Sequence, residues 1–314
     1  MTATPAASQT PPDADSALSQ SVRVQRPDPS SESGCLYVIA TPIGHLEDLS
    51  QRAARLLGEV DWIAAEDTRH SQTLLQSLGV KTPLISLHEH NEAARTETLL
   101  PRLQAGEVGA LISDAGTPLI NDPGYTLVRR LREAGIAVKP VPGPSAVIAA
   151  LSAAGLPTDR FAYEGFLPAK PGKRQQALKA LASEARTLVF YESPHRLLAS
   201  LEAFALCFPD RTLVVAKELT KRFETFVSGA PGQVHQWFSA NTDAVRGEFV
   251  LMLEGQTRKT EEPETGGDPQ ALIDAMLTQG LPVKQIAEIL SQALSQKKKA
   301  LYQRVQARKD ALDL

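Results

Sequence analysis

Over residues 36–151, short apolar runs alternate with segments in which apolar residues recur at helical spacing, and the connections between them are short. The runs at 36–40 and 108–112 have the length of buried strands, and a helical segment follows each of them. This alternation is typical of a mostly parallel sheet covered by helices. We therefore predict an α/β domain over residues 34–151.

The segment 113–124 follows one of these apolar runs and precedes a helical segment, so it begins at the carboxyl end of a predicted strand. Ligands of open α/β sheets bind in the crevice beyond the strand ends. The segment contains two glycines, two prolines and several polar side chains that suit a small polar ligand. The simpler alternative is a turn that caps a helix, with Asp122 as the cap and Pro123 in the first helical position. A cap does not account for the polar side chains that precede it.

Two other loops, at 41–48 and 142–146, also follow apolar runs and contain proline and glycine. We expect these two loops and the segment 113–124 to share one crevice. The loop at 41–48 has one glycine where the dinucleotide-binding pattern requires three, so the sequence does not favour a nicotinamide cofactor.

Charged residues and histidines follow the apolar runs at 61–65 and 84–87. Histidines beside carboxylates can ligate metals or transfer protons, whereas the simpler interpretation is a polar surface loop. Their spacing does not require a metal, and we predict no metal site.

The second half of the chain, residues 152–255, contains about five strand-like runs and fewer helical segments than strands. Since each parallel connection needs a crossover, we predict mixed or antiparallel pairing in a second α/β domain. A cleft between two such domains is a common place for a small-molecule site.

Three segments lie outside these two domains. Residues 1–33 carry almost no large apolar side chains, and we expect a disordered leader. Residues 256–268 are predicted to form a charged linker, and residues 269–314 three short helices with a basic run at 297–299. This basic appendage indicates contact with phosphates, and a solvated helix face is the alternative.

Composition narrows the class of protein further. The chain has 314 residues, of which 42% are hydrophobic and 22% are charged, as expected of a globular protein with about two domains. No apolar stretch is long enough to span a membrane and no signal-peptide pattern precedes the first domain, so we expect a cytoplasmic location. The two cysteines are far apart in the sequence and indicate neither a disulfide framework nor a zinc site.

Eight motifs occur in order along the chain, at 41–50, 65–70, 113–124, 142–146, 163–168, 191–196, 218–221 and 246–248. Together they resemble the ribosomal small-subunit RNA (cytidine-2′-O)-methyltransferase branch of the tetrapyrrole methylase superfamily. The resemblance runs from about residue 34 to 255 and continues weakly at 298–302. His45 departs from it, because the family more often has asparagine there.

The resemblance implies a fold of two α/β domains with S-adenosylmethionine in the cleft between them, followed by a small helical appendage. It further implies that loops at the strand ends of both domains bind this cofactor. Carried over position by position, the cofactor-binding residues are Pro42, Ile43, Gly44, Asp114, Ala115, Gly116, Thr117, Ile120, Ser145, Ala146, Tyr191, Glu192, Glu218 and Leu219.

The activity implied by the resemblance is 2′-O-methylation of a cytidine ribose in 16S ribosomal RNA, in the decoding region of the small (30S) subunit. The family also leads us to expect a homodimer. Two alternatives remain: a methyltransferase acting on a tetrapyrrole or another small acceptor, and a ribosome-assembly protein that binds RNA without catalysis.

A ribose hydroxyl is a weak nucleophile, so a side chain that takes its proton would assist methyl transfer. Basic side chains would in addition contact the phosphates of the RNA. The candidate bases are Glu66, Asp67, His88 and Glu248, together with Lys217 or Lys221 if burial lowers its pKa. The candidate RNA contacts are Lys170, Lys173, Arg174, Arg196, Lys221, Lys297, Lys298 and Lys299.

Overall fold

A computed structural model describes residues 34–256, 269–294 and 298–312. The chain divides after Gly255 into two compact units. The expected leader at 1–33 and nearly all of the expected linker at 256–268 lie outside the described residues.

The first half of the larger unit is a five-stranded sheet in which every pair of neighbouring strands is parallel. The predicted parallel α/β architecture is therefore confirmed. The strand order is β3-β2-β4-β1-β5. The strands are β1 (Cys35–Ile39), β2 (Trp62–Ala65), β3 (Leu84–Ser86), β4 (Gly109–Ile112) and β5 (Ala137–Val141). The helices are α1 (Gln51–Glu59), α2 (Thr68–Ser77), α3 (Glu92–Gln104), α4 (Tyr125–Glu133) and α5 (Ala146–Ala153), and a short 3₁₀ turn lies at Leu46–Asp48.

Side chains cover both faces of this sheet, which explains why its central strands are continuous apolar runs rather than alternating ones. One face packs Leu36, Trp62 and Leu111 against helices α3 and α4. The other face packs Ile39 and Ile63 against helices α1 and α2. Burial on both faces leaves the carboxyl ends of the strands as the part of the sheet available to a ligand.

The second half is a five-stranded mixed sheet, as predicted. Its order is β6-β7-β10-β8-β9, with β6 and β7 parallel and the other pairs antiparallel. The strands are β6 (Phe161–Phe166), β7 (Thr187–Glu192), β8 (Leu213–Lys217), β9 (Thr225–Gly229) and β10 (Phe249–Leu253). The helices are α6 (Pro171–Ala180), α7 (Leu197–Cys207) and α8 (Pro231–Ala240), with a 3₁₀ turn at Thr242–Ala244.

Helix α5 joins the two halves through its packing. Its residues Val147, Ala150 and Leu151 are buried in one cluster with strand residues of the second sheet, among them Val214 and Met252. Because almost every residue of this helix is apolar, it can be covered on several sides at once. The loop that precedes α5 is therefore held close to the second sheet.

The start of helix α4 differs from the helix cap considered above. Gly124, with φ 128°, occupies the N-cap position, and Asp122 lies before it. Buried Glu92 of helix α3 accepts hydrogen bonds from the backbone N–H groups of Gly124 and Leu127, both at 3.1 Å. The interpretation of Asp122 as the cap is wrong, because a distant carboxylate already satisfies the first N–H groups of the helix. At helix α2 the N-cap is Asp67, whose side chain accepts a hydrogen bond from the N–H of Arg69.

The smaller unit contains helices α9 (Pro269–Thr278), α10 (Val283–Leu294) and α11 (Lys298–Ala311), in agreement with the predicted three helices. Ile273, Ile286 and Leu301 are central to its core. Arg308 donates to both carboxylate oxygens of Asp274 at 2.6 Å. Among the described residues of the whole chain, no helix has both the length and the apolar character needed to cross a membrane.

Candidate active site

A cleft opens where the strand-end loops of the first sheet meet one end of the second sheet. It encloses about 900 Å³ of space, including its open mouth. The three proline- and glycine-containing loops predicted to share a crevice do share this one. The lining residues are Ile43, Ala115, Gly116, Thr117, Ile120, Asn121, Asp122, Ser145, Ala146, Phe166, Tyr191, Glu192, Leu219, Glu248, Phe249 and Val250.

Most of the cofactor-binding residues predicted by resemblance lie in this lining. Pro42, Gly44, Asp114 and Glu218 do not, although each is adjacent in sequence to a lining residue. Asn121 and Asp122 belong to the polar side chains of segment 113–124 that were expected to face a small polar ligand, and both lie in the lining. The sequence patterns did not assign Phe166, Phe249 or Val250 to the site, and no sequence signal distinguishes Phe249 and Val250 from ordinary core residues.

Backbone hydrogen bonds hold the first-sheet loops together. Thr41 donates its N–H to the carbonyl of Gly116 at 2.9 Å, and Gly116 donates its own to the carbonyl of Thr41 at 3.1 Å. The hydroxyl of Thr117 donates to the carbonyl of Pro144 at 2.9 Å. Three loops from different strands thereby form one connected wall of the cleft.

Residues other than glycine that adopt a left-handed backbone are concentrated in the loops around the cleft. Among the described residues, the non-glycine residues with positive φ are Leu119 (71°), Asn121 (68°), Glu218 (51°) and Thr220 (63°). Each lies in segment 113–124 or in the loop after strand β8, residues 217–221. Such conformations are unfavourable for residues with a side chain and cluster at binding and active sites.

An ion-pair network holds the second of these loops. Lys221 donates to Glu218 Oε1 and to Glu248 Oε2, each at 2.9 Å, and the N–H of Glu248 donates to Glu218 Oε1 at 3.0 Å. Burial tends to lower the pKa of Lys221, but hydrogen bonds and charges from both carboxylates outweigh it and raise this pKa. Lys221 therefore stays protonated, which argues against its use as a base.

The loop at 41–48 contacts this network directly. A Cβ on Gly44 would lie 2.6 Å from Cγ of Lys221 and 2.7 Å from Oγ1 of Thr220, so only glycine fits there. The N–H of His45 donates to Thr220 Oγ1 at 3.1 Å. Since this contact uses the backbone, the replacement of the family's asparagine by His45 does not remove it.

Carboxylates near the cleft influence one another. Burial is the main cause that raises the pKa of Asp122, a hydrogen bond with Ser113 opposes it, and the charge of Asp114 adds to it. The pKa of Glu66 is also raised, first by burial and then by the charges of Asp122, Asp114 and Asp67. These groups retain protons to higher pH than isolated carboxyls do.

The structure does not bring the predicted bases together. Glu248 lines the cleft, whereas Glu66 and Asp67 follow strand β2 outside the lining, and Asp67 donates its N–H to Asp114 at 3.2 Å. His88 lies beyond edge strand β3, with its Nε2 3.0 Å from the amide nitrogen of Asn91. Lys217 lines a separate groove, which it shares with Arg222, Phe223 and Arg246.

The predicted RNA contacts also differ in exposure. Lys170 and Lys173 are exposed at the start of helix α6. Arg174 is 5% exposed, so the structure corrects the expectation that it reaches a phosphate.

Three further basic candidates already interact with carboxylates. Arg196 lies 3.5 Å from Glu192 Oε1, and its guanidinium donates to the carbonyl of Leu167. Lys221 belongs to the network described above. Lys298 donates to Glu288 at 2.9 Å. Lys299 is exposed, and Lys297 lies outside the described residues.

The cleft fits S-adenosylmethionine, a compact cation with apolar and polar parts. Its walls combine apolar side chains such as Ile43 and Leu219 with carboxylates, among them the half-buried Asp122. A Cβ on Gly116 would lie 3.3 Å from Ile43 Cγ2, so the absence of a side chain keeps that wall open.

Comparison with known proteins identifies the class. The family model of tetrapyrrole (corrin/porphyrin) methylases matches residues 35–234, and the chain belongs to this family. It is 53% identical over 274 residues to the ribosomal RNA small subunit methyltransferase I of Escherichia coli O157:H7, covering 87% of this chain and 94% of the relative. The protein of the same name from Pseudomonas aeruginosa is 49% identical over 272 residues, covering 86% of this chain and 96% of that one.

Solved structures with the same fold are more distant in sequence. The methyltransferase CobJ aligns with a TM-score of 0.54 at 19% identity, over 71% of this chain and 95% of that one. Diphthine synthase aligns with a TM-score of 0.55 at 13% identity, over 71% and 91%. At these identities the two structures support the fold alone.

The predicted family, its small-subunit ribosomal RNA methyltransferase branch and the S-adenosylmethionine cofactor are confirmed. The alternative of a tetrapyrrole acceptor is not favoured, because the curated relatives are named for ribosomal RNA.

Proposed function

We propose that this protein transfers a methyl group from S-adenosylmethionine to the ribose 2′-hydroxyl of a cytidine in 16S ribosomal RNA, in the decoding region of the small subunit. The observation that carries the proposal is the convergence of strand-end loops from both sheets on one cleft. The identity of 53% to a small-subunit ribosomal RNA methyltransferase supports RNA as the acceptor.

We further propose that both halves of the larger unit, residues 34–151 and 152–255, act as domains that hold the cofactor between them. Residues 115–117, Ser145 and Ala146 would bind it from the first half, and Tyr191 and Leu219 from the second. Backbone groups in the proline- and glycine-containing loops supply donors and acceptors without the glycine triad of dinucleotide sites. When bound, S-adenosylmethionine supplies a methyl group already activated by a positively charged sulfur.

The main task left to the protein is positioning, which can lower a barrier by roughly 7–11 kcal/mol. The hydrogen-bonded wall around Gly116 and the ion-pair network around Lys221 fix the two sides of the cleft. Val250 is buried and, with Leu219, forms an apolar wall that limits access of water.

Asp122 is the proposed proton acceptor for the ribose hydroxyl. It lines the cleft, is half-buried, and accepts no helix-capping hydrogen bond because Glu92 takes that role. Of the bases predicted from sequence, Glu248 lines the cleft and is the alternative acceptor, although Lys221 already binds its carboxylate. Glu66, Asp67, His88 and Lys217 lie outside the cleft lining and would need a movement of the chain to act.

Exposed lysines are proposed to contact RNA phosphates. Lys170 and Lys173 lie on the larger unit, and Lys298 and Lys299 on the smaller one. We also propose a homodimer and a cytoplasmic location, which suit an enzyme that modifies ribosomal RNA.

The proposal is tested with small subunits isolated from cells that lack this protein. Purified protein and isotopically labelled S-adenosylmethionine should transfer label to 16S RNA, and one cytidine should become resistant to alkaline cleavage at its 3′ side. The variant Asp122→Asn serves as the control for chemistry in the cleft. Label on a base rather than a ribose, or transfer only to an added porphyrinoid, would contradict the proposal.

A further inference from the structure

Strand β6 contains an irregularity that changes the direction of one aromatic side chain. Its register with strand β7 pairs Tyr163 with Val189, then Gly165 with Phe190 and Phe166 with Tyr191, so Glu164 is an extra residue. Gly165 has a φ of 68°. In a regular strand, residues three apart point to opposite faces, but this bulge places Tyr163 and Phe166 on the same face.

The two faces of the second sheet have different surroundings. Phe190 points into a core that also contains Phe204. Val189 and Tyr191 point the other way, toward helix α5 and the cleft. Without the bulge, Phe166 would face the same way as Phe190. With it, Phe166 lines the cleft instead.

Contacts with segment 113–124 secure the bulge. The hydroxyl of Tyr163 donates to Asn121 Oδ1 at 2.7 Å, and a Cβ on Gly165 would lie 3.2 Å from the same oxygen. Asn121 is itself one of the residues with a left-handed backbone. The position of Phe166 is therefore determined jointly by the second sheet and the loop of the first.

The ring of Phe166 is supported from one side and open on another. Its centroid lies 5.8 Å from that of Tyr191, with the ring planes at 65°. The residue remains 48% exposed, and Ile120, which also lines the cleft, is 42% exposed. Two large apolar side chains at the mouth of a cleft suit a flat, apolar ligand surface.

In the proposed function the methyl acceptor is a cytidine nucleotide, and its base has such a flat surface. A ribose reaches a recessed cleft only if its nucleotide leaves the stacked strand, and its base then loses its stacking partners. Proteins that bind unstacked nucleotides replace those partners with aromatic side chains and contact the neighbouring phosphates with basic ones. Exposed Lys170 and Lys173 follow Phe166 along the chain.

We propose that Phe166 is the platform on which the base of the acceptor nucleotide stacks while its ribose lies in the cleft. This inference rests on the proposed function. It assigns Phe166 to RNA, not to S-adenosylmethionine, and predicts that a planar ring is required at this position.

The experiment compares Phe166→Leu, Phe166→Tyr and the control Phe161→Leu, which removes another exposed aromatic ring from the same strand. Kinetics with unmodified small subunits give KM and kcat, and calorimetry gives the affinity for S-adenosylmethionine. We expect Phe166→Leu to raise KM on the order of tenfold, with kcat changed less. Phe166→Tyr should retain the KM of the unaltered protein, and all three variants should bind S-adenosylmethionine normally.

Four other results would overturn the inference, and each has a different explanation. An unchanged KM in Phe166→Leu would show that no base stacks on this ring. Loss of S-adenosylmethionine affinity equal to the change in KM would assign the ring to the cofactor. Failure of Phe166→Tyr to retain KM would indicate a packing role. If the unaltered protein does not methylate small subunits, the proposed function fails, and this inference fails with it.

Discussion

Two loops border the cleft and contain the non-glycine residues that have a left-handed backbone in the described part of the chain, yet different forces hold the two loops. In segment 113–124, backbone hydrogen bonds connect Gly116 and Thr41, and the bonded groups carry no net charge. In loop 217–221, Lys221 joins two carboxylates, and the geometry depends on their ionisation. Changes to the backbone should therefore damage the first loop most, and changes of charge should damage the second.

The largest expected effect comes from Asp122→Asn in the first loop. Loss of a proton acceptor should lower kcat by about 10²–10⁴-fold while the affinity for S-adenosylmethionine stays within a few-fold. Single-turnover methyl transfer and calorimetry measure the two quantities. If kcat is nearly normal in Asp122→Asn and falls in Glu248→Gln, the proton acceptor is Glu248, which lies beside loop 217–221.

A backbone change in the first loop should affect cofactor binding next most strongly. Gly116 and Gly135 both have positive φ, at 83° and 77°. Alanine at either position places a side chain in a left-handed conformation, which costs about 1–2 kcal/mol. We therefore expect Gly116→Ala and Gly135→Ala to lose similar stability in thermal unfolding.

The two variants should differ in their affinity for the cofactor. A Cβ on Gly116 would lie 3.3 Å from Ile43 Cγ2 in the cleft wall, whereas a Cβ on Gly135 would meet nothing within 4 Å. Only Gly116→Ala should lose cofactor affinity in calorimetry, on the order of a hundredfold, because its Cβ displaces Ile43. Equal cofactor binding by the two variants would mean that the first loop tolerates backbone changes. Sensitivity to backbone changes would then not distinguish segment 113–124 from loop 217–221.

Removal of the positive charge of Lys221 from loop 217–221 should reduce activity by a smaller factor than the changes in the first loop. Lys221→Met leaves Glu218 and Glu248 close together without a cation between them, so the catalytic efficiency kcat/KM should fall on the order of tenfold. Arg246→Met is the control, because Arg246 pairs with Asp243 at 3.3 Å where both side chains are largely exposed. Exposed pairs contribute little, so this control should retain normal kinetics. If Lys221→Met had the kcat/KM of the unaltered protein, backbone contacts alone would hold loop 217–221.

The pH dependence provides a finer test of the first loop. The charge of Asp114 raises the pKa of Asp122, so Asp114→Asn should lower that pKa. Asp122 would then remain ionised at lower pH, and the acidic limb of the kcat profile should move toward lower pH. Asp159→Asn, at an exposed position, is the control. A limb that stays in place would exclude Asp122 as the titrating group, and the same profile measured in Glu248→Gln would test the alternative.

The smallest expected effect is a change in how strongly RNA affinity depends on salt concentration. Lys299→Met should reduce the slope of log affinity against log salt by about 0.7–0.9, the value for one phosphate contact. Glu288→Gln removes the partner of Lys298 and should change the slope in the opposite direction. Filter binding to small subunits across salt concentrations measures both. An unchanged slope in both variants would exclude helix α11 from the RNA contact.

Local pattern along the chain is sufficient to predict the first sheet and the place of the cleft. Alternating apolar runs and helical segments predict the sheet, because residues close in the chain decide strand and helix formation. The proline- and glycine-containing loops predict the cleft, because the carboxyl ends of parallel strands lie on one edge of a sheet. Both predictions need only the order of elements in the sequence.

The individual side chains that reach the cleft are selected by packing between distant segments. Glu92 replaces Asp122 as the acceptor at helix α4, and the N–H of His45 meets Thr220 across 175 residues of sequence. The bulge at Gly165 turns Phe166 to the cleft face of its sheet. These contacts join residues that are far apart along the chain, so their geometry follows from how the sheets and helices pack and not from any local spacing.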